Sequence, residues 1–274
     1  MASFINIDGK LLPDTETAVL ASNRGLRYGY GLFETMLVVK DAIRLEELHW
    51  TRLFSGMELL KIEHPKYFQK TLQHEVLRTI SKNKLTNLCS VRLQINAGTG
   101  GLFDESLFKA NYIIECFPLE EGMLQLNEMG LTIGICDIVK HADKYANLKS
   151  CSALPYALAA RAAKAFRWND ALLLNDEGFL VESSIANLFW VKNGIVYTPS
   201  LESGCVAGVM RQHLLEKLPS VGFECKTCLA TPDILQEADE IFLTNAIRMV
   251  RWVASLSGKN YRNKVCTSIH FVLS

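Results

Sequence analysis

The stretch from Asn169 to Pro199, NDALLLNDEGFLVESSIANLFWVKNGIVYTP, decides how the rest of the chain reads. It holds four short apolar runs: ALLLN, FLVES, ANLFWVK and IVYTP. Asp176-Glu177-Gly178 follows the first run and Asn193-Gly194 precedes the last. Asn-Gly between two apolar runs is a two-residue hairpin signal. The segment therefore reads as short hairpin-connected strands, not as strand–helix–strand units. One acid, Glu182, lies inside this apolar ladder. It either points from a strand end into water or is buried with a partner, because an unpaired buried charge is costly. The residues alone leave both open.

Outward from this segment, strands and helices alternate. LTIGICDIV is a strand, and Ser152 to Arg167 is an Ala- and Leu-rich helix. Ala207 to Leu218 reads as a helix, followed by strands in GFECKTCLA and EIFLTN, with an unassigned tail. In the first half, SFINIDGKLL is a hairpin turned at Asp8-Gly9, and Leu32 to Lys40 is a strand. Leu45, Leu48, Leu53, Met57 and Leu60 keep helical spacing, and Pro65 opens a second helix reaching about Lys82. Two strands follow, at Val91 to Asn96 and Tyr112 to Phe117. The polar stretch after Pro118 is the boundary candidate. It divides a small N-terminal α+β subdomain, 1–118, from a larger C-terminal one, 119–274. Hairpins outnumber βαβ units, so the expected class is α+β with mixed or antiparallel sheets.

The 274 residues carry 29 basic and 29 acidic side chains, with 49% hydrophobic and 21% charged. This is an ordinary globular composition. It lacks the basic balance of an electrostatic nucleic-acid binder. No apolar run approaches the ~20 residues that span a bilayer. MASFINIDGK has an early acid and no apolar core of a signal peptide. A soluble, cytoplasmic protein is expected. Several of the eight cysteines fall in apolar runs, where a thiol acts as a small hydrophobe. Cys225 and Cys228 form a C-x-x-C without a second pair, and the histidines show no ligand spacing, so no metal is expected.

Several features could do chemistry. Lys149 ends HADKYANLK just before the strong helix, where it is either a solvated lysine or a Schiff-base nucleophile. SGCVAGVMRQ puts a glycine before a helix, which is either an ordinary loop or a phosphate cradle. RGLRYGYGLFET packs glycines, arginines and tyrosines before a strand, as a tight turn or a close backbone approach would. A lysine, an acid and an anion cradle hint at a phosphate-bearing aldehyde cofactor.

In order and wording, RYGYGLFET, RLEELHWTRL, the lone lysine, the Asn169–Pro199 stretch and AGVMRQ resemble the class IV pyridoxal-phosphate enzymes. That family contains branched-chain aminotransferases, D-amino acid aminotransferases and 4-amino-4-deoxychorismate lyases. The resemblance runs from about Phe4 to about Val253. It implies the D-amino acid aminotransferase-like fold, pyridoxal 5′-phosphate as cofactor, and a homodimer acting on a small-molecule substrate. Lys149 matches the lysine that bonds to the cofactor and later carries the proton. Glu182, 33 residues on, matches the acid that keeps the pyridine nitrogen protonated. Arg52 matches a ligand of the cofactor phosphate, and the backbone N–H groups of Val209 and Met210 match the other half of that cup. Asn245 and Ala246, in FLTNAIR, match a second loop on the phosphate side, and Asn187 matches a support for Glu182.

Two departures separate the branches. Aminotransferases of the family often carry a tyrosine where this chain has Leu154, with Tyr156 close by, and a threonine where it has Met210. GVMRQ, TNA and the Thr35 of FET resemble the lyases, while branched-chain aminotransferases typically have glycine at the Thr35 position. Against the lyase, an arginine-rich stretch found in several of them is here NAGTGGLFD. Arg92, Arg27, Arg248 and Tyr28 are then the candidate substrate contacts, with Lys149 and Thr35 as the catalytic pair. The resemblance thus implies a lyase giving 4-aminobenzoate and pyruvate. The alternatives are an aminotransferase for branched-chain or D-amino acids and a catalytically silent cofactor binder.

Overall fold

The computed structural model describes residues 3–16, 19–104 and 108–273. The chain forms two compact units: Met1–Glu121 with Lys149–Ala153, and Gly122–Leu148 with Leu154–Ser274. The first break lies in the polar stretch after Pro118. The segment Lys149–Ala153, which the linear division put in the second part, groups with the first unit.

The first unit contains β1 (Phe4–Ile7), β2 (Lys10–Pro13), α1 (Arg24–Tyr28), β3 (Gly31–Val39) and β4 (Ala42–Ile43). These are followed by α2 (Glu46–Leu59), α3 (Phe68–Asn83), β5 (Leu88–Asn96) and β6 (Asn111–Pro118). Among the described residues, six strands pair antiparallel in the order β2-β1-β6-β5-β3-β4. Asp8 and Gly9 make the first turn with φ of 50° and 83°, the doubly positive geometry of a two-residue hairpin. α3 begins at Phe68 and not at Pro65, because Pro65 opens a preceding turn in which its carbonyl accepts the Phe68 N–H at 3.0 Å.

Strand alternation gives this sheet two faces. Glu34, Met36, Val38, Val91, Leu93 and Ile95 are buried on the face that meets α2 and α3. Phe33, Thr35, Arg92 and Gln94 are half-buried on the other. Among the described residues, β4 pairs only with the end of β3. Beside the start of β3 runs the Lys149–Ala153 segment. Phe33 donates its N–H to the Lys149 carbonyl at 3.0 Å, and Cys151 donates to Gly31 at 2.9 Å. A β-carbon on Gly29, whose φ is 64°, would lie 3.2 Å from the Ser152 Cα, so glycine is needed there for backbone angle and space.

The second unit contains β7 (Leu131–Val139), α4 (Leu154–Ala165), β8 (Asp170–Leu174), β9 (Leu180–Ser183), β10 (Asn187–Lys192) and β11 (Ile195–Pro199). Then come α5 (Val209–Ser220), β12 (Cys225–Cys228), α6 (Asp233–Glu237), β13 (Glu240–Asn245), β14 (Met249–Leu256), β15 (Lys259–Asn260) and α7 (Lys264–Leu273). Its strands form one mixed sheet in the order β12-β11-β10-β13-β14-β7-β8-β9, with β15 beside β14. The β11–β12, β14–β7 and β7–β8 pairs are parallel. One core gathers Ile133, Leu172, Leu188, Trp190, Leu243 and Val253, and a smaller one seats Ala159 and Ala163 of α4 against Ala171 and Leu173. The tail, unassigned from sequence, is β14 to α7. Glu240 accepts the N–H groups of Val265 and Cys266 at 2.8 and 2.9 Å, capping α7 from below.

The expected α+β class with mixed and antiparallel sheets is what the chain adopts. Among the described residues, no helix is long and apolar enough to cross a membrane.

Candidate active site

Glu182 settles the choice left open by sequence: it is buried, 3% exposed. Its strand, β9, runs antiparallel to β8 with Glu182 opposite Leu173. Three donors converge on Oε1: Lys140 Nζ at 3.0 Å, the Tyr156 hydroxyl at 2.7 Å and the Val206 N–H at 3.0 Å. Oε2 accepts the Asn187 amide at 3.0 Å. Asn187 also donates to the Val206 carbonyl at 2.9 Å, so β10 ties the acid to the loop before α5. Burial, and then the Glu182 charge, hold the Tyr156 phenol well above its ordinary range, which makes it a firm donor.

That loop ends in Gly208, where a β-carbon would stand 1.8 Å from Asn187 Oδ1. Only glycine leaves room for the amide that supports Glu182. α5 then opens at Val209 without a side-chain cap, although Val209 and Met210 are buried. A buried, uncapped helix start calls for an anion or another acceptor. Asn245 ends β13, and its Oδ1 accepts the N–H groups of Ile247 and Arg248 at 3.1 and 2.8 Å, shaping the turn that holds Ala246. Arg248 lines a cavity of about 270 Å³ in this unit, with Asn245, Asp170, Ile185 and Arg251.

In the first unit, Lys149 Nζ lies 4.4 Å from the centre of the Phe33 ring. The Arg92 guanidinium lies 3.9 Å from the same ring. Phe33 is thus a platform for two cations. Thr35, two positions along β3 and on the same face, pairs in register with Arg92. Arg92 also donates to Gln94 at 3.2 Å and stands 3.8 Å from Glu115. The Cys151 thiol beside this group is pushed up to about 11 by burial, against the pull of Arg92.

Arg52, on α2, grips Glu34 with two donors, Nε at 2.8 Å and Nη2. His49 Nδ1 meets the same carboxylate at 2.6 Å. Burial alone would raise Glu34, but the Arg52 charge and the two hydrogen-bonding partners bring it down to about 2. A depressed folded value contributes stability that is full above the unfolded value of about 4.3. It is lost as pH falls from there through about 2. The melting temperature of the cofactor-free protein is expected to drop across that window, and Glu34→Gln should flatten the drop; an unchanged acid limb in the variant would refute the assignment. Arg27 and Tyr28 end the short α1, both exposed, with Arg27 Nε donating to the Ala21 carbonyl at 2.9 Å. The buried arginine of that motif is Arg24, which donates to the Ala97 and Gly101 carbonyls.

Sequence reading did not foresee Lys140, Phe33 or the Glu34–His49 pair. Glu34 had a signal of the same kind as Glu182, an acid inside an apolar strand. Lys140 had none, being one lysine after the strand LTIGICDIV.

The fold thus carries a buried, multiply held carboxylate near an uncapped helix start. The chain belongs to the class IV amino-transferases, whose family model matches residues 31–256. It is 27% identical over 264 residues to the aminodeoxychorismate lyase of Bacillus subtilis, covering 94% of this chain and 88% of the relative. It is 26% identical over 266 residues to a putative branched-chain-amino-acid aminotransferase of Methanocaldococcus jannaschii, covering 95% and 90%. The branched-chain aminotransferase of Thermoproteus uzoniensis, solved with norvaline, superposes with a TM-score of 0.87 at 22% identity over 99% of this chain and 93% of that one.

The family is pyridoxal-phosphate-dependent, and a branched-chain aminotransferase of the same fold has been solved with N-(5′-phosphopyridoxyl)-L-glutamate. The donor set suits that group: α5 offers uncapped N–H groups for a phosphate, and Glu182 Oε2, holding one donor, keeps acceptor capacity for a protonated ring nitrogen.

Proposed function

We propose that this protein is a pyridoxal-phosphate-dependent lyase that converts 4-amino-4-deoxychorismate into 4-aminobenzoate and pyruvate. The observation that carries the reading is Thr35 on the open face of β3, beside Arg92 and two positions from the ring over which Lys149 lies. A hydroxyl stands there where branched-chain aminotransferases typically have glycine. The Bacillus subtilis relative supports the same branch.

When bound, pyridoxal 5′-phosphate supplies an electron sink next to the substrate amine. The chain's own residues do the rest. The N–H groups of Val209 and Met210 and the Asn245–Ala246 turn would hold the phosphate, with Arg52 a further candidate for it. Glu182 would accept from the protonated ring nitrogen. Lys149 anchors the cofactor and takes the proton from the ring carbon that bears the amine. Thr35 orients the departing enolpyruvyl group or gives it a proton. Arg92 takes a substrate carboxylate, with Arg27, Tyr28 and Arg248 as further candidates. Aromatisation of the remaining ring then drives release. The reading carries with it a cytoplasmic homodimer in folate synthesis, on the strength of the resemblance alone.

One observation favours a second reading, an aminotransferase for branched-chain or D-amino acids: NAGTGGLFD lacks the arginines of several lyases. The Methanocaldococcus jannaschii relative points the same way. Cofactor-loaded protein given enzymatically generated aminodeoxychorismate is expected to produce 4-aminobenzoate while its visible spectrum stays that of the aldehyde form. No product, together with conversion to the amine form by an amino-acid panel, would hand the assignment to the aminotransferase.

A further inference from the structure

We infer that Lys140 is a positioning residue, the standing counter-cation that engages Glu182 Oε1 and leaves its Oε2 presented before any cofactor arrives. The inference rests on the proposed role of Glu182 as acceptor for the ring nitrogen, and it concerns how that acceptor is made.

Lys140 follows β7 and is 8% exposed. Its ammonium donates to Glu182 Oε1 at 3.0 Å, to the Ala146 carbonyl at 2.9 Å and to the Gly204 carbonyl. An ammonium has three N–H donors and no acceptor, and here three acceptors take them. Its three donors are all engaged. It is a fixed charge and not a second nucleophile.

Three further titratable groups near Glu182 are placed differently. Tyr156, from α4, is a neutral donor whose phenol is held high by burial and by Glu182. Cys205 is a buried thiol, raised by burial and by the same carboxylate. Arg211, from α5, directs Nη2 to the Pro199 carbonyl at 2.9 Å. Lys140 Nζ stands within ion-pair distance of Glu182, at 3.0 Å. By occupying Oε1 together with Tyr156 and Val206, it leaves Oε2 as the oxygen with room for another donor.

Without Lys140, an ionised buried carboxylate is left without its cation, a cost that is relieved where acid neutralises the carboxylate. The deficit of Lys140→Met against wild type must therefore grow from acid to mildly basic pH. Removing the acid as well removes the penalty.

The test uses cofactor-free protein in a cycle of Lys140→Met, Glu182→Gln and the double variant, with melting temperatures read from pH 5 to pH 8. Lys140→Met is expected to melt about 6–15 °C below wild type at pH 8 and clearly less below it at pH 5. The double variant should regain at least half of the pH 8 loss. If Lys140 only tethers the Ala146 and Gly204 loops, its loss will be equal at every pH and will add to that of Glu182→Gln, which overturns the inference. Should Lys140→Met fail to fold, a folded double variant supports the pairing and an equally unfolded one refutes it. Because no cofactor or substrate enters these measurements, their failure is distinct from failure of the lyase reading.

Discussion

Lys149→Ala is expected to abolish 4-aminobenzoate formation, lowering turnover by at least about 10³-fold, the scale of a lost positioned base. The expectation rests on how firmly the backbone around this lysine is held. Its carbonyl takes the Phe33 N–H at 3.0 Å, and Cys151 returns a bond to Gly31 at 2.9 Å. Ser150 bridges Leu32 in antiparallel register between these bonds. The side chain therefore leaves a fixed backbone and runs to 4.4 Å from the Phe33 ring. Truncation to alanine removes the amine and leaves those backbone bonds in place, so the variant should fold. Lys149→Arg sharpens the test. It keeps a cation over Phe33 but cannot lose its proton at working pH. Turnover must collapse in both variants if the amine does chemistry. If arginine restores turnover to within a few-fold of wild type, the residue serves only as a charge, and the lyase mechanism with Lys149 as base is wrong.

The part of this arrangement that sequence could reveal is the part written locally. Asp8-Gly9 and Asn193-Gly194 announce their hairpins because a two-residue turn with positive φ selects those residues. α2 and α5 show in apolar spacing or in a glycine before the helix, and Glu182 shows as an acid in an apolar ladder. What stayed hidden depends on contacts distant in sequence. Nothing near Lys149 says that its segment pairs with β3, more than a hundred residues earlier; the shortness of β4 leaves that place beside the strand. The parallel pairing of β14 with β7 is equally non-local, joining Val253 to Leu131. Lys140 was illegible for the same reason. Its partners, Glu182 and Gly204, lie 42 and 64 residues away. Pro65 misled because proline suits both a helix start and the turn before one.

Glu182→Gln is expected to lower turnover by about 10²–10³-fold even when the cofactor is saturating, the scale seen when one preorganised electrostatic partner is removed. The amide is nearly isosteric, so the effect comes from which atoms accept. Lys140, Tyr156 and Val206 all aim donors at Oε1, and only an oxygen can stand there. The glutamine must therefore turn its NH₂ to the Oε2 position. There it meets the Asn187 amide, a donor facing a donor. Asn187 cannot turn over to relieve this without losing its bond to the Val206 carbonyl. In the proposed arrangement, a protonated ring nitrogen would need an acceptor at that position and would meet an NH₂ group that can only donate. The variant thus favours the unprotonated ring, the form that takes up negative charge poorly, and the catalytic loss should be in kcat more than in cofactor affinity. Measuring both in parallel separates the cases. A cofactor-loaded Glu182→Gln protein that turns over within a few-fold of wild type would remove Glu182 from the mechanism. A large loss of kcat with cofactor still bound would leave its charge as the cause.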